Sequence, residues 1–283
     1  TLDKMPEENC TVKGYVYLFG HAMPKHILYV GGGGPNNYSS IQEAINAAND
    51  GDTIKVYPGI YDGPIVINKE VKLVGDPLID GHGDYGIEIE VSNVSIENFT
   101  IYNFSTGIYA HSNIENVIIS NCTIYNPSKH GAGIKFEYVT RSYIMNTSVN
   151  NTWDGITLRY SSYNTISNCI SRDNGASGIF LFSSSNNKVA NCTSSNNRDG
   201  IYIDNAAGKN NVIKYNTFSS NSRYGIIITY STGNYIYLNN FIDNADNGES
   251  VSGNIFHSPS TISYNYSGNE YTSYLGNYWD DYD

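Results

Sequence analysis

Gly-Ile pairs begin at Gly86, Gly107, Gly133, Gly155, Gly178, Gly200 and Gly225, at spacings of 21, 26, 22, 23, 22 and 25 residues. A period of this length marks a solenoid, in which each repeat packs only on its neighbours, and it outranks any local propensity. After each glycine the apolar residues sit two apart, as in Ile134/Phe136, Ile156/Leu158, Ile179/Leu181 and Ile201/Ile203. That is the period of a strand with one buried face. The stretches between are short and rich in Asn, Ser and Gly, with no room for a helix in each repeat. What remains is an all-β fold: a single-stranded right-handed parallel β-helix with about three short strands per turn.

Two further columns run between the glycines. One is Asn98, Asn121, Asn146, Asn168, Asn191, Asn216 and Asn240; the other is Asn103, Asn126, Asn151, Asp173, Asn196, Asn221 and Ala245. Equivalent residues of stacked coils lie about 4.8 Å apart, so both columns are expected to form internal amide ladders. The glycines are expected to sit at tight bends or at positive φ. A solenoid also needs capped ends. "SSIQEAINAAND" predicts a helix over about 39–49, N-capped by Ser39 or Ser40, with Ile41, Ala44, Ile45 and Ala48 on its apolar face. The expected organisation is an arm at 1–26, a β-helix at 27–248 and an aromatic C-terminal cap at 249–283.

"YSSIQEAINAANDGDTIKVYPGIYDGPIVINKEVKLVGD", the coils and "YTSYLGNYWDDYD" together resemble the NosD-like parallel β-helix repeat proteins of the carbohydrate-binding and sugar-hydrolase group, above all versions in archaeal surface proteins. The resemblance runs from Ile27 to Asp283. It implies a pectin-lyase-like solenoid in a mostly exported family with diverse activities. In such proteins the closing motif often leads into an acidic, glycine-rich segment.

The net charge of 16 − 27 = −11 disfavours nucleic acid and anionic lipid as partners, and no run of about 20 apolar residues could span a membrane. The beginning of the chain shows no initiator Met and no export signal, so either a signal was removed or the chain is a fragment. Ten Asn-x-Ser/Thr acceptors support an extracellular or cell-surface location: Asn9, Asn37, Asn93, Asn98, Asn103, Asn121, Asn146, Asn150, Asn191 and Asn265. Several of these fall in the ladder columns and are therefore expected to be buried. Cys122, Cys169 and Cys192 fall in one stack as small buried groups, a Cys169–Cys192 bridge is disfavoured between parallel positions, and Cys10 lies outside the stack. Without CxxC or CxxCH, zinc, iron–sulfur and c-type haem are unsupported. "HAMPKH" places His21, Met23 and His26 together, a set that suits copper but lacks further ligands. No metal or cofactor is expected.

The outward residues of the Gly-Ile strands form two columns, Glu88, Tyr109, Lys135, Thr157, Phe180, Tyr202, Ile227 and Glu90, His111, Glu137, Arg159, Phe182, Asp204, Thr229. Aromatic rings beside carboxylates and an arginine suit a sugar-binding groove, with Tyr109, Glu137, Arg159, Phe180, Phe182, Tyr202 and Asp204 as candidates. A covering partner or the arm would account for the same rings. Asp154 and Asp199 each precede a Gly-Ile pair and are the catalytic candidates for a glycosidase pair. "NTWDGI" and "KHGAGI" faintly resemble polygalacturonase motifs, but Ala176 and Ser177 stand where that family has two aspartates, and His130 precedes Asp154. Two coils put Asp154 and Asp199 about 10 Å apart, the far limit for such a pair. Asp-Gly is also an ordinary turn dipeptide, and "IDGHGD" is read as a turn. The expected function is a structural or adhesive surface module, with a polysaccharide hydrolase or lyase as the alternative. The segment Thr11–Gly20 alternates like a strand and belongs to no coil, so self-association through the arm into a fibre or surface layer is the expected partner mode.

Overall fold

A computed structural model describes residues 25–126, 130–205 and 208–280. The expected arm strand, Cys10, His21, Met23 and the acceptor Asn9 lie outside the described residues. The described chain winds as a right-handed parallel β-helix with three sheets. A ten-stranded sheet starts at Ile27–Val30, another ten-stranded sheet starts at Ile60–Asp62, and a nine-stranded sheet, called here the front sheet, runs from Ile65–Ile67 to Asp246–Ser250. Every pairing within these sheets is parallel, and the front sheet carries the Gly-Ile strands.

The core is the stack of inward residues. Ile87, Ile108, Ile134, Ile156, Ile179, Ile201 and Ile226 are all fully buried, one per coil. Each such side chain contributes roughly 1.5–3 kcal/mol by leaving water. Helix α1 (Ile41–Ala47) closes the N-terminal end over Ile41, Ala44 and Ile45, and Ser40 caps it in a capping box with Glu43. It is shorter than the expected 39–49 because Ala48 has already left helical geometry.

The Asn columns differ from expectation in an instructive way. Asn98, Asn121, Asn146, Asn168 and Asn191 are exposed, with φ between 50 and 63°. In the second column Asn103, Asn151, Asp173 and Asn196 adopt the same left-handed conformation. These residues make the corners between strands, where a short amide or carboxylate tolerates positive φ best. The ladders occupy the next slot. Asn164, Asn187, Asn211, Asn234 and Asn254 form one, Asn174, Asn197, Asn221 and Asn244 a second, and Asn216, Asn239 and Asn277 a third. Thr193 pairs with Thr217, so Asn191 aligns with Tyr215, and the expected column slips by one residue when it reaches Asn216. Toward the N-terminus the same inward slots hold Val94, Val117, Phe99 and Cys122, all buried. These slots beside the corners therefore pass from apolar to amide-laddered along the axis, while the isoleucine stack continues throughout.

The Gly-Ile glycines have no positive φ. Their constraint is close approach: a Cβ on Gly178 would stand 1.9 Å from Ser194 Oγ, and one on Gly155 2.4 Å from the Gly178 carbonyl oxygen. The expected cap at 249–283 is in part a further coil. Residue 249 falls inside the strand Asp246–Ser250, Asn254 and Asn277 extend two ladders, and Tyr278–Trp279 pairs with Asn240–Ile242. An antiparallel hairpin, Ile262–Tyr266 with Asn269–Ser273, is inserted in that coil and carries the exposed Tyr264, Tyr266 and Tyr271.

Candidate functional site

The front sheet brings the two predicted outward columns into register. Tyr109 pairs with Lys135, Lys135 with Thr157, Thr157 with Phe180 and Phe180 with Tyr202. Beside them Glu137 pairs with Arg159, Arg159 with Phe182 and Phe182 with Asp204. Phe180, Phe182 and Tyr202 are half-buried, not fully exposed. Phe180 and Tyr202 stack at 5.1 Å and 20°, so each ring turns one face to the other. Flat faces free to receive a sugar are fewer than the sequence promised. The corner residues Tyr138 and Tyr160 extend the aromatic surface, stacked at 4.9 Å with Tyr160 edge-on to Phe182. The sequence reading missed them because they lie one residue beyond the strand period, at φ of 58 and 50°.

Charges converge on Glu137. It accepts from Tyr109 Oη at 2.5 Å and Lys135 Nζ at 3.0 Å, with Arg159 Nε at 3.9 Å. Burial raises its carboxyl, but the bonds from Tyr109 and Lys135 and the two nearby cations outweigh this and hold it below its ordinary value. Burial, then the Glu137 carboxylate, push the Tyr109 phenol well up, so it remains protonated and serves as a donor. Arg159 lies over Phe182 at 5.0 Å and its Nε makes no hydrogen bond, although the atom is buried; Thr157 Oγ1, two residues back on the same face, is likewise buried and unpaired. Asp204 accepts from Thr229 Oγ1, which also meets Tyr202 Oη.

Asp154 and Asp199 open their strands instead of making turns. Ser177 pairs with Asp199 and donates its backbone N–H to Asp154, so the two aspartates are separated by one intervening coil. Asp199 is buried and held by Arg223 through two bonds of 2.7 and 2.5 Å. Burial raises the Asp154 carboxyl, opposed by the Ser177 N–H and reinforced by the Asp199 charge. His130 is exposed.

Of the glycosylation candidates, Asn93, Asn98, Asn103, Asn121, Asn146, Asn191 and Asn265 are exposed, against the expectation that several were buried, while Asn37 and Asn150 are half-buried. Cys122, Cys169 and Cys192 are buried and unbridged, and burial pushes the Cys122 thiol to about 11. His26, the one described residue of the set His21, Met23 and His26, faces Asp52. Although no metal was expected, Glu88, Glu90 and His111 stand together at the N-terminal end of the two columns. No helix among the described residues is long and apolar enough to cross a membrane.

Among solved structures the chain is similar to the pectate lyase Pel9A, with 16% identity, a TM-score of 0.63 and coverage of 81% of this chain and 78% of that one. It is similar to the catalytic domain of a GH87 alpha-1,3-glucanase solved with tetrasaccharides, at 16% identity and a TM-score of 0.60, covering 81% and 56%. It is also similar to an alginate lyase from Paenibacillus sp. str. FPU-7, at 14% identity and a TM-score of 0.53, covering 81% and 95%. At these identities the likeness is one of fold. A comparison with curated protein sequences finds no match. Residues 45–283 match the family described as periplasmic copper-binding protein (NosD), and with that match over most of its length the chain belongs to the NosD family.

Proposed function

We propose that this protein is an exported β-helix that holds an acidic polysaccharide along its front sheet, as a structural or adhesive element of a cell surface or extracellular layer. The observation that carries this reading is the partly exposed Arg159 guanidinium, held to Glu137 only at 3.9 Å and standing on the same face as Lys135. In a chain of net charge −11 this is a local excess of cation over Glu137. A glycan carboxylate or sulfate is the ligand that such donors recognise, with Tyr160, Phe180, Phe182 and Tyr202 as an apolar wall for the ring carbons. The structural neighbours named for lyase and glucanase activities make a carbohydrate ligand the natural class for this fold. Holding is favoured over cutting because Asp199, one of the two catalytic candidates, is tied to Arg223 and leaves no free carboxylate pair at the strand openings. The exposed Asn acceptors fit an exported glycoprotein. Self-association into a fibre remains a proposal carried by the arm sequence alone.

Affinity electrophoresis in polyuronate, sulfated and neutral glucan gels tests the reading. Retardation by the acidic gels, weakened at least about tenfold in Arg159→Ala and less in Phe180→Ala, is the expected result. Equal migration of wild type and Arg159→Ala in every gel removes the front sheet as the binding face. Depolymerisation, seen as unsaturated uronate absorbance or new reducing ends, replaces holding with catalysis.

The family description adds copper. Soft copper(I) sets rest on thiolate and thioether, and the described thiols are sealed inside the solenoid. An imidazole with carboxylates instead suits copper(II) or zinc, and Glu88, Glu90 and His111 bring one donor atom each within 4.8 Å of one another.

A further inference from the structure

We infer that Glu88, Glu90 and His111 form a binding site for a divalent transition-metal ion, copper(II) or zinc, at the N-terminal end of the front sheet. Glu88 lies in the strand Tyr85–Ile89 and Glu90 directly follows it, two residues on and so on the same face. His111 comes from the next coil, where Tyr109 pairs with Glu88. One donor atom from each of the three lies within 4.8 Å of the others, and His111 Nε2 is 2.9 Å from Glu88 Oε1. Ligands about 2.0–2.2 Å from an ion stand roughly 3–4.4 Å from one another, so a small rotamer change closes the set.

Two independent features favour a cation here over a plain acidic surface. The first is orientation of the imidazole: His111 stacks on Tyr109 at 4.6 Å and 27°, and its Nδ1 meets Ser112 Oγ at 2.5 Å. That outer contact leaves Nε2 facing the two carboxylates, as in histidines that ligate metals. The second is charge. Lys135 and Arg159, the nearest cations on the face, both turn to Glu137, and among the described residues no lysine or arginine forms an ion pair with Glu88 or Glu90. Two carboxylates held close, with at most the one imidazolium of His111 between them, repel, and a divalent ion removes that repulsion. The mixed nitrogen and oxygen donors select copper(II) or zinc over calcium, which takes oxygen alone. The family description implies copper; the residues, the oxidation state and the place on the sheet are this structure's own. The inference does not rest on the glycan reading, since Glu88, Glu90 and His111 are not among the residues assigned to the glycan.

Calorimetric titration of the full chain with zinc, copper(II) and calcium salts, together with electron paramagnetic resonance of the copper(II) form, tests the site. One bound ion is expected, with calcium at least about tenfold weaker and with nitrogen splitting from a single imidazole. His111→Gln should remove that splitting and weaken binding about tenfold or more, as should Glu90→Gln, whose exposed side chain leaves the fold untouched. Arg159→Ala should bind metal as wild type does, which separates failure here from failure of the glycan proposal. His257→Gln, at the other end, is the control for scattered histidines. Unchanged affinity and splitting in both His111→Gln and Glu90→Gln overturns the site, and leaves binding to "HAMPKH" or the chain terminus as its source.

Discussion

Two asparagines that look alike in the sequence do opposite work. Asn168 is exposed at a corner with φ of 53°, while Asn211 is fully buried, accepting from Asn187 and donating to Asn234. Glycine is the discriminating substitution because it removes both side chains but prefers positive φ. Asn168→Gly should change the melting temperature little. Asn211→Gly should cost about 1–3 kcal/mol for each ladder group left unpaired, read as a clear drop in thermal or denaturant midpoint. Equal effects would show that the ladder contributes no more than the corner. The aspartates teach the same lesson. Asp154 and Asp199 share a sequence context, yet burial raises the carboxyl of one while the other is fixed by Arg223.

At the scale of an element, the Gly-Ile strand is defined by what its glycine excludes. A Cβ on Gly178 would meet Ser194 Oγ at 1.9 Å, Asn197 Nδ2 at 2.6 Å and the Gly200 carbonyl oxygen at 3.0 Å. The Ser194 hydroxyl is itself bonded to the Gly200 carbonyl, so it cannot yield without losing that bond. Gly178→Ala should therefore destabilise by about 1–3 kcal/mol through overpacking and lost bonds. Gly33→Ala, with nothing within 4 Å of its Cβ and no positive φ, should be neutral or slightly stabilising. Chemical denaturation of the two variants side by side checks the claim. A Gly178→Ala protein as stable as wild type would mean the glycine is retained for some reason other than close packing. Strand period and register, by contrast, were legible early. Outward columns read from alternate residues match the observed pairs from Glu88 to Thr229.

For the whole molecule, each coil rests on its neighbours and the ends decide how far order extends. Trp279 closes the C-terminal end, stacked on Phe241 at 4.2 Å and 8°, with Phe218 below at 5.2 Å. Trp279→Ala should cost on the order of 3 kcal/mol, with the loss confined to the last coils. Hydrogen exchange should show amides near Phe241 and Ile236 losing protection while those near Ile54 and Leu73 keep theirs. Uniform loss along the chain would contradict a solenoid of nearest-neighbour coils.

The sequence by itself determined the solenoid, its strand period, the capping helix and the family, because each is written in repetition at short range. Only the tertiary structure decided which Asn of each pair turns inward, how the rings of Phe180 and Tyr202 face, that Arg223 holds Asp199, and that Glu88, Glu90 and His111 meet. Those outcomes depend on coil lengths of 21 to 26 residues adding up correctly across neighbours. A one-residue difference, as between Asn191 and Asn216, moves a side chain from solvent to core, and no local pattern records it.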